Sequence, residues 1–425
     1  MSYPDYLQNL MGGHEVQLKS LGEIGTFIRG LGIQKSDFTE SGVGCIHYGQ
    51  IHTHYGTWAT KTKSFISHEF SIRLRKAQTG DLVIATTSED DEAVAKSVAW
   101  LGVEDVAVST DAYIYRHMAN PKYISYFFQT EFFQSQKKPH ITGTKVRRIS
   151  GDGLAKIQIP VPCPDNPAKS LEIQAEIVRI LDAFTELTAE LTAELTARKQ
   201  QYKHYRDKLL SFPNGEAEWR PLGEIGEFIR GKRFTKTDYV EYGIDVIHYG
   251  EIYTQYNTWT TRARSQVRRD MSDTLRYAEP GDVVITDVGE TIEDVGKAVA
   301  WLGKKRVAIH DHCYAFRHSM NPKFVAYCMQ TSSFIAQKAK HVASAKVNTL
   351  LINGFSKVTI PVPFPDDLKR SLKEQARIVA ILDKFDSLTN SLTEGLPREI
   401  ELRQKQYAYY RDLLLSFPKP EEVEA

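Results

Sequence analysis

Three clusters in this 425-residue sequence hold residue types that bind metals or move protons. His47, His52 and His54 place three imidazoles within eight residues, a spacing that could suggest a shared metal ion. Ser88, Glu89, Asp90, Asp91 and Glu92 form an acidic run of the kind that holds Mg²⁺ through carboxylate oxygens. His310, Asp311 and His312 alternate imidazole and carboxylate. Most of the chain is written twice, so each cluster can be checked against its own second copy. Tyr253 and Gln255 stand where the first copy has His52 and His54, and Thr291 and Ile292 stand for Asp90 and Asp91. His310-Asp311-His312 answers to Ser109-Thr110-Asp111. The histidines therefore read as no metal set, the acidic run as a solvated loop, and His310–His312 as loop or core. Neither copy carries a glycine-rich phosphate loop, zinc-ligand spacing, a GxSxG elbow or the Asn/Asp-Pro-Pro-aromatic motif of an amino-methyltransferase. The residues point away from catalysis.

Local basic stretches point to nucleic acid instead. The segment from Lys137 to Arg148 holds five Lys/Arg, a histidine and a flexible Thr142-Gly143-Thr144, ahead of Lys145 and Arg147. Its counterpart includes Lys338, Lys340, Ser344, Lys346 and Asn348. Arg230, Lys232, Arg233 and Lys236 answer to Arg29 and Lys35, and Lys61 and Lys63 to Arg262 and Arg264. Lysine and arginine at such positions neutralise phosphates and set the register of a duplex. Gln50, His52 and Arg147 in one copy, and Glu251, Gln255 and Asn348 in the other, are side chains able to read base edges. The aromatic sets Tyr48, Tyr55, Trp58 and Tyr249, Tyr256, Trp259 read as core more than contact.

The elements that must position these residues are also duplicated. LGEIGTFIRG at Leu21 returns as LGEIGEFIRG at Leu222, an offset of 201. The offset is unchanged for CIHYGQI and VIHYGEI, GDLVI and GDVVI, both AWLG segments, and both IPVP segments. This is a domain duplication rather than a short-period solenoid. GDLVIA and GDVVIT predict a turn followed by a buried strand, and KIQIPVP and KVTIPVP a closing strand. Asn120-Pro121 opens a helix over NPKYISYFFQTEFF. Each globular copy reads as α+β.

A long helix follows each copy, Leu171 to Phe212 and Leu372 to Phe417, ended by Pro213 and Pro418. Ile177, Leu181, Phe184, Leu187, Leu191 and Leu195 fall on one helical face. Ser371 with Glu374 fits a capping box, and Ser170 occupies the same place in the first copy. About 42 residues at ~1.5 Å each would span roughly 63 Å, which outruns an ordinary domain. The offset becomes 205 between Tyr205 and Tyr410, so the second helix carries extra residues. Gly395 and Pro397 there should kink or break it, where the first copy has a TAEL repeat. Tyr3, Asp5 and Leu7 match Tyr205, Asp207 and Leu209, so the chain starts with the end of a repeat. That circular pattern predicts two antiparallel long helices separating two similar globular domains about a pseudo-twofold axis.

Composition sets outer bounds. The formal net charge is +1, so any DNA-binding surface is local. Cys45, Cys163, Cys313 and Cys328 lack metal spacing and suit a reducing compartment. With no signal peptide and no long apolar run, the sequence reads as cytoplasmic.

The stretch from Ile159 through the TAEL repeat, QYKHYRDKLLSF at Gln201, and Ala376 to Glu421 resemble the specificity subunits of type I restriction–modification enzymes, most of all the IC group. The resemblance is close in both helices and covers the whole chain in architecture. It implies target recognition domains at 14–167 and 214–367, and a helical segment at 1–13 that completes the distal repeat. It further implies a central spacer helix at 168–213 that binds modification subunits, a distal helix at 368–418 kinked near Pro397, and a tail at 419–425. It implies double-stranded DNA, two modification subunits and restriction subunits as partners. S-adenosylmethionine, ATP and Mg would belong to those partners, with no cofactor on this chain. It places Thr142-Gly143-Thr144-Lys145 against DNA, and by the repeat Ala343-Ser344-Ala345-Lys346, where the second copy lacks Thr-Gly-Thr. The unbroken offset predicts half-sites that are similar and inverted, and the TAEL stretch is expected to set the gap between them. On residues alone, a self-contained duplicated DNA-modifying enzyme and a coiled-coil scaffold without DNA binding remain the competing readings.

Overall fold

The computed structural model describes Asn9 and residues 11–213, 215–344, 347–391 and 394–417. Internal contacts divide the chain into two compact units: Met1–Glu190 with Glu401–Ala425, and Leu191–Ile400. Each unit is α+β.

The first unit contains two five-stranded sheets. One runs in the order Gly25–Arg29, Ala112–His117, Leu82–Ala85, Ser97–Trp100, Trp58–Ala59. The other runs Phe38–Thr39, Ser64–Ile66, Val43–Ile46, Val106–Val108, Lys76–Ala77. Leu82–Ala85 is the buried strand expected after Gly80, and it serves two cores because its side chains alternate. Val83 and Ala85 join Ile46, Val98, Val108 and Ile114 in a core shared by both sheets. Leu82 and Ile84 face the other way, onto Tyr115, Tyr123, Phe127 and Phe133. The closing strand Gln158–Pro162 pairs antiparallel with Val16–Ser20.

The segment opened by Asn120 forms two helices, not one. Asn120 caps Pro121–Phe127, and Thr130 caps Glu131–Lys137 by accepting from the Phe133 N–H. A new cap supplies local partners for amides that would otherwise continue the first helix.

The central helix spans Pro167–Leu209. Its expected capping serine does other work. Ser170 is buried and accepts from Gln174 Nε2 at 3.0 Å, while Gln174 Oε1 accepts the Asn120 N–H at 2.8 Å. Ser371, Gln375 and Asn321 repeat this lock in the second unit, whose helix is capped instead by Asp367. Asp182 then receives Lys122 Nζ and Tyr126 OH, each at 2.7 Å, and Asp383 receives Lys323 and Tyr327 in the same way. Ile177 and Leu181 are buried, whereas Leu187 is exposed, so the apolar face is covered at its start and opens further along.

The distal helix breaks, as Gly395 and Pro397 suggest. It consists of Leu368–Asn390 and Gly395–Ser416, so the break lies just before Gly395. Gly395 has φ +73°, and a Cβ there would lie 2.5 Å from the Ser387 carbonyl oxygen. Pro397 sits inside the first turn of the second piece, where its missing N–H has no helical partner to lose.

Each unit is completed by the end of the other copy's helix. In the first, Leu414 and Leu415 enter the core, Tyr410 stacks on Phe184 at 5.4 Å, and Tyr407 OH donates to Gln129 at 3.0 Å. In the second, Leu210 and Tyr202 play those parts, with Tyr202 stacked on Phe385. The circular pattern is thus visible at the chain's distal end. Tyr3, Asp5, Leu7, Pro418 and the tail lie outside the described residues.

Candidate nucleic-acid interface

In the first unit the strands Gly25–Arg29, Val43–Ile46, Leu82–Ala85 and Val106–Val108 finish at one end. Gly30 N–H donates to the Ala112 carbonyl, Leu31 N–H to Val108, Ser109 N–H to Ile46, and Thr86 N–H to Asp111. These bonds gather the residues just past four strand ends onto one surface. Arg29, exposed, donates Nε to the Thr110 carbonyl and lies 4.0 Å from Asp111. Lys35 sits nearby on the short 3-10 turn Lys35–Asp37. Burial, followed by the positive charge of Lys35, pushes the His47 imidazole below its ordinary range.

A hairpin adjoins this surface. Ile141–Thr142 and Arg147–Ile149 pair with each other and with Thr87–Ser88 in a three-stranded sheet. Gly143 turns the hairpin at φ +87°, and a Cβ there would meet the Val146 carbonyl oxygen at 2.2 Å. Thr142, Thr144, Lys145 and Arg148 are exposed. Arg147 is engaged: its guanidinium pairs with Asp91 and donates to the Gly143 carbonyl. His52 Nε2 lies 3.0 Å from the Thr87 carbonyl, tying the helix Tyr48–Thr53 to the same sheet.

The acidic run is the brace behind the hairpin. Asp90 accepts the Ala93 N–H at 2.6 Å, and Asp91 holds Arg147. Lys137, expected to face phosphates, is 1% exposed, and its Nζ donates to the carbonyls of Glu92 and Val94 at 2.7 Å each. Burial pushes this amine down to about 8. Lys338 repeats the contact with Glu293 and Val295, also pushed down to about 8 by burial. A buried ammonium needs such acceptors because nothing else replaces its water. Among the described residues, no group of three or more His, Cys, Asp or Glu could hold a metal ion.

The second unit repeats the frame with different chemistry. Its sheet is Val342–Ser344, Asn348–Leu350 and Val288–Gly289. Asn348 replaces Arg147, donating to the Glu290 carbonyl and accepting from Ser344 Oγ, both at 2.8 Å. Ala345 and Lys346 lie outside the described residues. Lys232, Arg233 and Lys236 are exposed beside Arg230, which donates to the Asp311 carbonyl at 3.0 Å and to Asp287 at 3.2 Å.

Several expected base readers are occupied within the fold. Gln50 accepts from His47 N–H and donates to Ser64 Oγ at 2.6 Å. Glu251 accepts from His248 N–H at 3.0 Å and from Ser265 Oγ. Both complete capping boxes, a use that spacing alone does not separate from base reading. Gln255 is exposed at its helix end. Lys61 and Arg262 follow Trp58–Ala59 and Trp259–Thr260, which register with the far ends of Ser97–Trp100 and Ala298–Trp301. They therefore stand at the opposite end of the sheet from the hairpin. Lys63 and Arg264 are exposed, with their amides held by Tyr55 and Tyr256 hydroxyls. Those two tyrosines are core, whereas Trp58 and Trp259 are exposed beneath Lys122 and Lys323. The sequence left Asp287 unmarked and His312 as loop or core, yet both join Arg230 at the strand ends. The only signal for them was that the second copy is richer in histidine there.

The family model described as "Type I restriction modification DNA specificity domain" matches residues 14–198 and 214–402. The type I restriction enzyme EcoR124I/EcoR124II specificity subunit of Escherichia coli is 37% identical over 309 residues, covering 71% of this chain and 72% of that protein. The putative specificity subunit S.HindORF215P of Haemophilus influenzae is 32% identical, covering 66% and 69%. A solved structure described as "Structural basis underlying complex assembly and conformational transition of the type I R-M system" shares the fold, with TM-score 0.61 at 16% identity over 94% of this chain and 97% of its own. The chain belongs to the type I restriction–modification DNA specificity family.

Proposed function

We infer that this member of the type I restriction–modification DNA specificity family is the DNA-recognition subunit of a type I restriction–modification complex. It has no catalytic role of its own. The observation that carries the reading is the repeated surface at the strand ends, a hairpin beside exposed cations, present once in each unit. Two such surfaces on one chain suit a bipartite target.

The recognition domains are 14–167 and 214–367, the spacer helices 168–213 and 368–418. The helices bind two modification subunits, and restriction subunits join them, in the cytoplasm. No helix of the described residues is long and apolar enough to cross a membrane. Arg29, Lys35, Thr142, Gly143, Thr144, Lys145 and Arg148 meet DNA in the first unit, and Arg230, Lys232, Arg233, Lys236 and Lys346 in the second. Lys63, Gln255 and Arg264 reach flanking phosphates. Arg147, Asn348 and Ser344 shape the hairpins, His52 ties its helix to the first of them, and Gln50 and Glu251 cap their own helices. Because the two copies match at an unbroken offset, the half-sites are similar, close to inverted repeats of each other, and differ where the reading side chains differ.

Sequencing the methylated motif in cells that express the chain with modification subunits tests this. A motif of two related, inverted half-sites is expected. Two unrelated half-sites would overturn their similarity, and methylation without a bipartite motif would overturn the function.

A further inference from the structure

At the strand ends of the second unit, one carboxylate holds two exposed side chains. Asp287 is 5% exposed, and Arg230 and His312 are 52% and 41% exposed. Asp287 Oδ2 accepts from Arg230 Nη2 at 3.2 Å, and its Oδ1 lies 3.0 Å from His312 Nδ1. Other contacts fix both groups further. Arg230 Nε donates to the Asp311 carbonyl, and the His312 ring stacks on His310 at 5.6 Å and meets Tyr249 edge-on at 5.4 Å. Both groups are oriented before anything binds, which reduces the ordering cost of recognition.

The orientation also sets their polarity. Asp287 accepts from Arg230, so the imidazole nitrogen facing its other oxygen is the N–H. In the neutral ring Nε2 keeps its lone pair and is an acceptor. Arg230 Nη1 makes no hydrogen bond among the described residues. With the ring neutral, a guanidinium with free donors thus stands beside one acceptor. In the first unit Thr86 replaces Asp287 and Asp111 replaces His312, and Arg29 reaches Asp111 only at 4.0 Å.

Resting on the DNA-reading function above, we propose that Arg230 and His312, held by Asp287, read one G·C base pair in the half-site of the second unit. In the major groove guanine presents two neighbouring acceptors, N7 and O6, and its cytosine presents the N4 amino donor. A donor fork with an adjacent acceptor matches that pair. No other base offers a guanidinium two neighbouring acceptors. Asp287 is a positioning residue, and Arg230 and His312 are the specificity residues.

The test is the methylated motif of the full complex carrying His312→Ala, His312→Gln or Asp287→Thr, with Arg29→Ala marking which half-site belongs to the first unit. His312→Ala and Asp287→Thr should relax one G·C position in the second half-site, losing about tenfold or more of its discrimination, while the first half-site is unchanged. His312→Gln keeps an acceptor and should retain the G·C pair. An unchanged motif in both His312→Ala and Asp287→Thr, or relaxation shared by both half-sites, would overturn the inference. Loss of all methylation in both His312 variants would show a structural role and overturn it too. If the wild-type complex methylates no bipartite motif, the proposed function fails first.

Discussion

Arg147 Nη2 lies 2.9 Å from Asp91 Oδ2, and the same guanidinium donates to the Gly143 carbonyl. One side chain thereby closes the hairpin and fastens it to the acidic loop. The hydrogen bond from Arg147 holds the Asp91 carboxyl below the usual carboxylate range. The pair therefore persists at neutral pH and opens only in acid.

Arg147 and Lys145 should therefore respond differently to removal. Lys145 is exposed, so Lys145→Ala should reduce the magnitude of the log-affinity against log-salt slope by about 1. Arg147 is already neutralised by Asp91, so Arg147→Ala should weaken binding with little change in slope. Anisotropy titrations of the complex on its target duplex at several salt concentrations separate the two. Equal slope changes would contradict the assignment.

Gly143→Ala should unlock the hairpin. The position has φ +87° and no room for a Cβ beside the Val146 carbonyl. Left-handed backbone costs an L-residue roughly 1–2 kcal/mol, before the clash is counted. Faster hydrogen exchange at residues 142–147, with slow exchange retained in Leu82–Ala85, is the expected result.

Lys137 should impose a pH dependence on the first unit. Its amine is pushed down to about 8 by burial, so below that pH the folded unit carries a buried charge. As pH rises from about 8 towards the usual lysine range, the folded state releases its proton first, and stability rises. Relative to Lys137→Met, the wild type should gain about 2 kcal/mol between pH 8 and 10. Urea unfolding of both proteins at pH 7, 8.5 and 10 measures the difference. A difference that is flat with pH would show that the lysine is neutral, or hydrated, throughout.

Removing Thr192 to Leu195 should shorten the gap between half-sites and leave the half-sites themselves intact. The division between the two compact units falls between Glu190 and Leu191, inside this repeat. One TAEL unit adds ~6 Å and ~40° to a helix, roughly one to two base pairs of advance. Motif sequencing reads the gap directly, and an unchanged gap would rule the spacer role out.

The sequence by itself determined the duplication, the buried strands after Gly80 and Gly281, the long helices and the break near Gly395. Each of these is written in local periodicity or in comparison of one copy with the other. It also carried the family, through the helices. What it left undecided was which polar side chains are available. Lys137 and Arg148 share one basic segment, yet one is buried on two carbonyls and the other is exposed. Gln50 could cap or read, Ser371 could cap or lock, and His312 stood as loop or core. Only tertiary structure decided these cases. A polar atom takes whichever partner the fold brings within about 3 Å when water is removed, and those partners, Glu92, Ser64, Gln375 and Asp287, come from other elements or other turns.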